Sequence, residues 1–404
     1  MALKCGNINV IDLFESKDLV KICAPMVRYS KLQFRNLVGL YGCDLAFTPM
    51  ILADSFCKSE KARNNEFTTN NADLPVIIQF AANTVHDFVG AACLASPFCN
   101  GVDLNCGCPQ TWAKKMGLGC SMLNEPELIF NIVRQCRNQI SKPFTVSVKM
   151  RINKNISKTV DICKQLEMAG ASFLTVHART ADQNTGDINS EALRLLTSQV
   201  KIPIVANGGV KTLEDCYKLQ EKTNCKGVMV ANGILNNPTI FMGNSITSME
   251  CIQNWVNICY NSTFQNIEML QQNVKPVFDE KPYNLTFQCF HHHLVFMLDK
   301  ILSRKQKQVF NNFQHFQEVL GFLKTSFGIV PKHFNNDMYD HFKLIKTDYS
   351  NRDQVYNKLK PNDINKIKDI LYDCESNKGK YFNSKIQENE NQFCDLSGMF
   401  LENG

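Results

Sequence analysis

Short runs of β-branched and other apolar residues recur along the chain, each followed by a stretch whose apolar residues return every three to four positions. The first pattern suits a strand buried on both faces, the second a helix with one apolar face. The runs predict strands at Val20–Ala24, Cys43–Thr48, Pro75–Phe80, Gly101–Asn105, Phe144–Lys149, Ser172–His177, Pro203–Ala206 and Gly227–Ala231. The intervening periodicity predicts helices such as Glu127–Gln139, Ser157–Ala169 and Leu213–Glu221, with Ala169-Gly170-Ala171 closing one of them. Eight strand-then-helix units in about 230 residues are what a closed (β/α)8 TIM barrel requires. An open doubly wound sheet has the same alternation, but its first strand leads into a Gly-x-Gly-x-x-Gly turn, which Ala24-Pro25-Met26 is not.

After Met242 the pattern changes. Cys251–Tyr260 has helical spacing, 261–284 is rich in Asn and Gln and predicts a loop insertion, and Phe287–Ile301 and Phe310–Phe327 are helical again. Beyond Ser350 the chain is rich in Asn and Lys. One short helix is expected at Ile364–Tyr372 and a mobile tail at 374–404. The expected division is an N-terminal extension at 1–18, the barrel at 19–247, a smaller C-terminal helical domain at 248–349 and a tail at 350–404.

Composition narrows the setting. Apolar residues make up 44% of the 404, enough to fill a large interior. No run approaches the roughly 18 apolar residues of a membrane helix, and the amino terminus lacks a signal-like apolar stretch. An intracellular protein without membrane contact is expected. The 18 cysteines are scattered through apolar segments, as Cys23, Cys43, Cys93 and Cys163 are. Disulfide scaffolds are short and secreted, so these read as small buried hydrophobes. The net charge of +6 is modest. Residues 300–346, however, hold Lys300, Arg304, Lys305, Lys307, Lys324, Lys332, Lys343 and Lys346 against Glu318, Asp337 and Asp340. That excess suits a polyanion, and equally a solvated helix face.

In a barrel of this kind chemistry gathers at the carboxyl ends of the strands. Those ends carry Pro25-Met26, Gln79, Asn105 to Pro109, Lys149 to Arg151, His177 to Arg179, Asn207-Gly208-Gly209 and Ala231-Asn232-Gly233. The last two are glycine turns, where backbone N–H groups can approach a phosphate closely, although either alone would be an ordinary connection. Lys149 is suited to offset negative charge on a reduced flavin ring or to hold a substrate carbonyl. His177 and Gln79 offer ring and amide hydrogen-bonding groups. Cys108, two residues past Cys106 and just before Pro109, is a loop thiol able to act as nucleophile or general acid, or to be one more structural cysteine. Cys99, Cys106, Cys108 and Cys120 lack the paired C-x-x-C spacing of a zinc site. His291, His292 and His293 would point about 100° apart on a helix and cannot share one ion. No metal is expected.

Asn105-Cys106-Gly107-Cys108-Pro109 fits the Asn-x-Gly-Cys-Pro signature of the tRNA-dihydrouridine synthases. In the expected order around it stand Ala24-Pro25-Met26-Val27-Arg28, Gln79, Val148-Lys149-Met150-Arg151, His177-Ala178-Arg179-Thr180 and Ala206-Asn207-Gly208-Gly209. Val228 to Ala231 then leads to Leu235-Asn236-Asn237-Pro238. Over residues 18–346 the chain resembles this family and looks most similar to the eukaryotic subfamily acting at positions 20a and 20b of the tRNA D loop. The resemblance implies an FMN-binding barrel with a helical domain, reducing a tRNA uridine to 5,6-dihydrouridine with NADPH or NADH as electron donor. It implies FMN contacts from Pro25, Met26, Val27, Gln79, Lys149, His177, Asn207, Gly208, Gly209, Ala231 and Asn232, and substrate contacts from Asn105, Lys149 and Arg179. A hydride from reduced FMN would reach uracil C6 while Cys108, the catalytic acid, protonates C5. The basic 300–346 segment would grip the tRNA backbone. No stable protein partner is implied, and the expected location is the cytoplasm, with the nucleus as a second. The family usually carries Arg where this chain has Asn232, which points to a weaker phosphate clamp. Two other readings fit parts of the pattern. An FMN barrel reducing a small molecule, such as a dihydroorotate-type dehydrogenase, has no need of the basic helical segment. An idle tRNA-binding barrel has no need of Cys108, Lys149 and His177 together.

Overall fold

The computed structural model describes residues 8–183, 185–264 and 285–358. Nine parallel strands make one sheet: β1 (Val20–Cys23), β2 (Leu45–Phe47), β3 (Ile51–Leu52), β4 (Val76–Ala81), β5 (Gly101–Cys106), β6 (Thr145–Arg151), β7 (Phe173–His177), β8 (Ile204–Asn207) and β9 (Gly227–Val230). β1 pairs with β2 and with β9, and β2 with β4, so the sheet closes into a (β/α)8 barrel. All the predicted strands are present. The unpredicted β3 is a two-residue addition lying on the end of β4 through Ile51 and Phe80, too short to show any period. Side chains on both faces of the strands are buried, which is why they read as near-continuous apolar runs. β6 continues two residues past the predicted end at Lys149, to Arg151.

The barrel's two ends differ in chemistry. Helix Val10–Ser16, part of the expected extension, brings the Phe14 ring to 5.2 Å from Phe173 and packs against the amino end of the barrel. At the carboxyl end the interior turns polar. The helices between strands start and stop close to expectation, as Pro126–Gln139, Ile156–Met168 and Leu213–Thr223 do. A capping box between Thr212 and Asp215 opens the last of these.

Beyond the barrel lie helices Met249–Cys259, Phe287–Leu298, Arg304–Asn311 and Phe316–Phe327. Trp255 is fully buried and donates Nε1–H to the Phe290 carbonyl (3.3 Å), while His293 stacks on Phe34 at 4.4 Å. Phe34 belongs to Leu32–Gly39, the helix after β1, so one apolar cluster runs from the barrel into the helical region. The expected single helix Phe310–Phe327 is two. Glu318 accepts the backbone N–H groups of Gln314 and His315 (2.9 and 2.8 Å), which starts a new helix at Phe316. Phe310, Phe313 and Phe322 still pack as one aromatic group, so apolar spacing alone hides the break.

The expectation of a tail from residue 350 fails for its first residues. Tyr349 packs edge-on against Phe56 and Phe98, and Arg352–Lys358 is a helix lying against Val85–Ala95. There Tyr356 Oη donates to Asp87 (3.0 Å) and Arg352 Nε to the Cys57 carbonyl (2.9 Å). Most of the expected 261–284 insertion, the helix at Ile364–Tyr372 and the segment 374–404 lie outside the described residues. No helix among the described residues is long and apolar enough to cross a membrane.

Candidate active site

β4, β5 and β6 run in register, with Gln79 beside Asp103 and Asp103 beside Ser147. Direct neighbours in a sheet share a face, and residues two further along stay on it, so Asn105 and Lys149 follow on the same side. Buried polar groups need partners. Ser147 Oγ donates to Asp103 Oδ1 (2.6 Å), Gln79 Nε2 to Asp103 Oδ2 (2.8 Å), and Asn105 Nδ2 to Gln79 Oε1 (2.8 Å). Asn105 Oδ1 then accepts the N–H groups of Gly107 (3.2 Å) and Cys108 (3.0 Å). Burial lifts the Asp103 pKa to about 6, against the pull of its two hydrogen-bond donors and of Lys149.

The Cys108 loop is braced from three sides. Asn105 holds its N–H, and its carbonyl accepts the Cys120 N–H at 3.0 Å. Gly119 packs underneath: a Cβ there would stand 2.5 Å from the Cys108 oxygen, and the φ of +65° disfavours a side chain anyway. Arg151 supplies the third brace, with Nε donating to the Gly107 carbonyl (3.0 Å) and Nη1 to the carbonyls of Thr180 and Gln183 (both 2.9 Å). Cys108 is partly exposed, and burial raises its pKa although Lys149 and Arg151 pull it down. Such a thiol keeps its proton at neutral pH, which suits a proton donor better than a thiolate nucleophile. Cys106 faces the core and is fully buried.

Lys149 sits within electrostatic reach of both Cys108 and His177. It has no hydrogen bond or ion pair among the described residues. Burial, reinforced by Arg151, lowers its pKa to about 8, while Asp103 and Cys108 pull upward. A buried cation with no hydrogen bond of its own at a barrel mouth is a place for a ligand that accepts one. His177 is pulled to a pKa of about 2 by burial and then by Lys149, Arg151 and Arg179, so its ring is neutral. Its Nε2 faces Arg179 Nη1 at 3.4 Å, which puts the proton on Nδ1. Gly208 has φ +119°, and a Cβ there would fall 2.9 Å from His177 Cδ2; Gly209 follows at φ +73°. Only glycine lets the backbone pass this close to the ring.

Other expected contacts are placed differently. Asn207 turns Nδ2 to the Met229 carbonyl (2.9 Å), and Arg179 is buried with Nε and Nη2 on the Gly186 carbonyl (3.1 and 2.6 Å). Both brace loops. Met26 is buried with its N–H on Ser30 Oγ (3.0 Å), the neighbouring Pro25 is partly buried, and Val27 is exposed. Ala231 leads into the short helix Asn232–Asn236. Asp103 and Ser147 lie outside the residues the sequence points to, and Arg151 is marked there only as a strand end and a motif residue with no role of its own. The available signal was polar residues at alternate positions, Asp103 with Asn105 and Ser147 with Lys149, in strands that otherwise bury everything. The three histidines of Phe287–Leu298 take separate partners: the Phe310 carbonyl, the Tyr29 hydroxyl and the Tyr29 carbonyl.

The sequence profile of the dihydrouridine synthase family matches residues 22–327. The chain belongs to that family. This dihydrouridine synthase is 44% identical over 319 residues to a Mus musculus protein named as a tRNA-dihydrouridine(20a/20b) synthase-like protein, covering 79% of this chain and 92% of that one. A Schizosaccharomyces pombe tRNA-dihydrouridine(20a/20b) synthase is 36% identical over 301 residues, covering 74% of this chain and 86% of its own. Among solved structures, an old yellow enzyme homologue from Zymomonas mobilis covers 58% of this chain at 11% identity, with a TM-score of 0.43. The docked helix Arg352–Lys358 of this dihydrouridine synthase lies beyond the family match.

Proposed function

We propose that this dihydrouridine synthase reduces uridine at positions 20a and 20b of the tRNA D loop to 5,6-dihydrouridine, with NADPH or NADH as electron donor and FMN as cofactor. The observation that carries the reading is Cys108, a thiol whose pKa burial raises, in a braced loop within electrostatic reach of the buried cation Lys149. The names of the relatives support the nucleotide positions and the NAD(P) dependence.

The residues present fit FMN. Gly208 lies so close to His177 that a Cβ would clash, Gly209 follows with positive φ, neutral His177 offers Nδ1–H, and Lys149 offers a buried charge with no hydrogen bond among the described residues. Bound there, FMN would supply the two-electron transfer from NAD(P)H to the uracil ring. The chain does the rest. Cys108 gives the Sγ proton to uracil C5, and its raised pKa keeps that proton in place near neutral pH. Lys149 offsets negative charge on the cofactor ring or a uracil carbonyl. Asn105, with its amide engaged by Gln79 and by the loop, positions Cys108. The uridine must leave its stack to reach this mouth, at a cost of a few kcal/mol that is least in an unpaired loop. A tRNA substrate is in keeping with a cytoplasmic enzyme, with the nucleus as a second location.

Dihydrouridine mapping tests the reading. In cells lacking the protein, positions 20a and 20b should lose the modification, and a wild-type copy should restore it where Cys108→Ala does not. Unchanged dihydrouridine at both positions in the deletion strain would overturn it.

A further inference from the structure

Asp103 and Ser147 lie beneath the site, and nothing in the proposed chemistry requires them to touch cofactor or base. Both are fully buried. An apolar pair of similar volume would fill the space without desolvating a carboxylate. Their presence has a geometric explanation in the hydrogen bonds above them.

The chain from Ser147 through Asp103, Gln79 and Asn105 to the loop has fixed polarity at both ends. An ionised carboxylate only accepts and a backbone N–H only donates. Gln79 and Asn105 each carry one donor end and one acceptor end, so a single arrangement satisfies all five bonds. Reversing Gln79 alone would set Oε1 against Asp103 and Nε2 against Asn105 Nδ2. Reversing both amides would set Asn105 Nδ2 against the N–H groups of Gly107 and Cys108. Gln79 is 1% exposed and Asp103 fully buried, so water has little access to relieve either arrangement.

We propose that Asp103, supported by Ser147, is a positioning residue: by accepting from Gln79 it anchors the barrel end of the amide chain, whose other end the loop N–H groups fix, and so holds the Cys108 loop against the barrel mouth. The kinetic half of its test rests on the function proposed above; the chemical half does not.

Asp103→Asn keeps an acceptor for Gln79, because the new amide can donate to Ser147 Oγ, which accepts as readily as it donates. Ser147→Ala leaves the carboxylate in place. Only the double variant removes what fixes the polarity from the Asp103 end, leaving the Gly107 and Cys108 N–H groups alone to orient the amides from the loop end. The rate of iodoacetamide alkylation at Cys108, read by peptide mass analysis on cofactor-free protein, should change by about twofold in each single variant. It should change by about tenfold more than their product in the double, a coupling typical of hydrogen-bonded neighbours. With tRNA, kcat should fall in parallel and KM should hold, and Ser147→Thr in place of Ser147→Ala should restore kcat and the alkylation rate. Single effects that simply multiply would overturn the proposal, as would a double variant whose Cys108 reactivity matches wild type. If the double variant does not fold, Asp103→Leu, which deletes the acceptor outright, is read the same way. A folded Asp103→Leu protein with unaltered Cys108 reactivity would also overturn it. Because alkylation needs neither tRNA nor cofactor, its outcome is independent of whether the wild type forms dihydrouridine.

Discussion

Cys106 and Cys108 are two residues apart and stand in opposite surroundings. Cys106 is fully buried in the core, whereas Cys108 stands in a braced loop with its thiol partly exposed. Cys108→Ala should therefore keep flavin binding and reduction by NADPH while dihydrouridine formation falls by about 10²–10⁴-fold, the usual worth of a positioned acid. Cys106→Ala should leave turnover per folded molecule intact and cost about 1 kcal/mol of stability. Equal losses of turnover in the two variants would remove Cys108 from the acid role. Lys149 invites a test of opposite sign. Its pKa of about 8 lies below the ordinary 10.5, so the unfolded chain holds that proton more tightly. The ammonium therefore costs stability at and below pH 8, and the cost disappears as pH rises towards 10.5. Ligand-free Lys149→Met protein should melt about 2 °C or more above wild type at pH 7 and should bind flavin far more weakly. A thermal melt and a flavin titration check the two halves. A variant that melts lower and binds flavin normally would mean Lys149 is a structural cation.

At the scale of elements, the basic segment after the barrel is less uniform than its composition suggests. Lys307 pairs with Asp299 at 2.7 Å, an acid immediately before the basic segment. Arg304 and Lys305 stand exposed at the start of Arg304–Asn311, where a Ser303–Gln306 capping box holds the first turn. If this helix meets tRNA, Arg304→Glu and Lys305→Glu should each weaken binding and lower the salt slope by about one. Lys307→Glu should do so less, because its charge is already shared with Asp299. Binding curves at several salt concentrations decide this, and NADPH oxidation by the flavin should not change. Affinity that ignores all three reversals would make this a solvated face.

For the whole molecule, the chain's return across the barrel is the largest departure from expectation. Ile345 N–H bonds the Thr69 carbonyl (2.9 Å), and Asn70 Nδ2 bonds the Phe342 carbonyl (3.0 Å). Tyr349 and Tyr356 then pack on the helices after β3 and β4, with the Arg63 guanidinium over the Tyr349 ring. Truncation after residue 343 removes this strap while sparing the site. Each of these partly buried tyrosines is worth about 1 kcal/mol, so the truncated protein should melt about 3 °C below the full chain and retain turnover at low temperature. An unchanged melting temperature would show that the strap contributes nothing to stability.

The order of strands and helices, the glycine turns and the Asn105–Pro109 loop were legible in the sequence because each depends on residues near one another. Apolar period, helix capping and a glycine's freedom are local properties. The site itself was legible only as a set of strand ends. That Asn105 braces the Cys108 loop, that Arg151 reaches both Gly107 and Thr180, and that Arg179 turns to Gly186 all depend on barrel register and loop path. The same holds for Arg352, whose partner Cys57 lies 295 residues earlier. Periodicity says which face of a strand is buried but not which side chain of the next strand will stand opposite. Closing the barrel supplies that, and with it the partners of Asp103, Gln79 and Asn105 and the burial that shifts Asp103, Lys149 and His177.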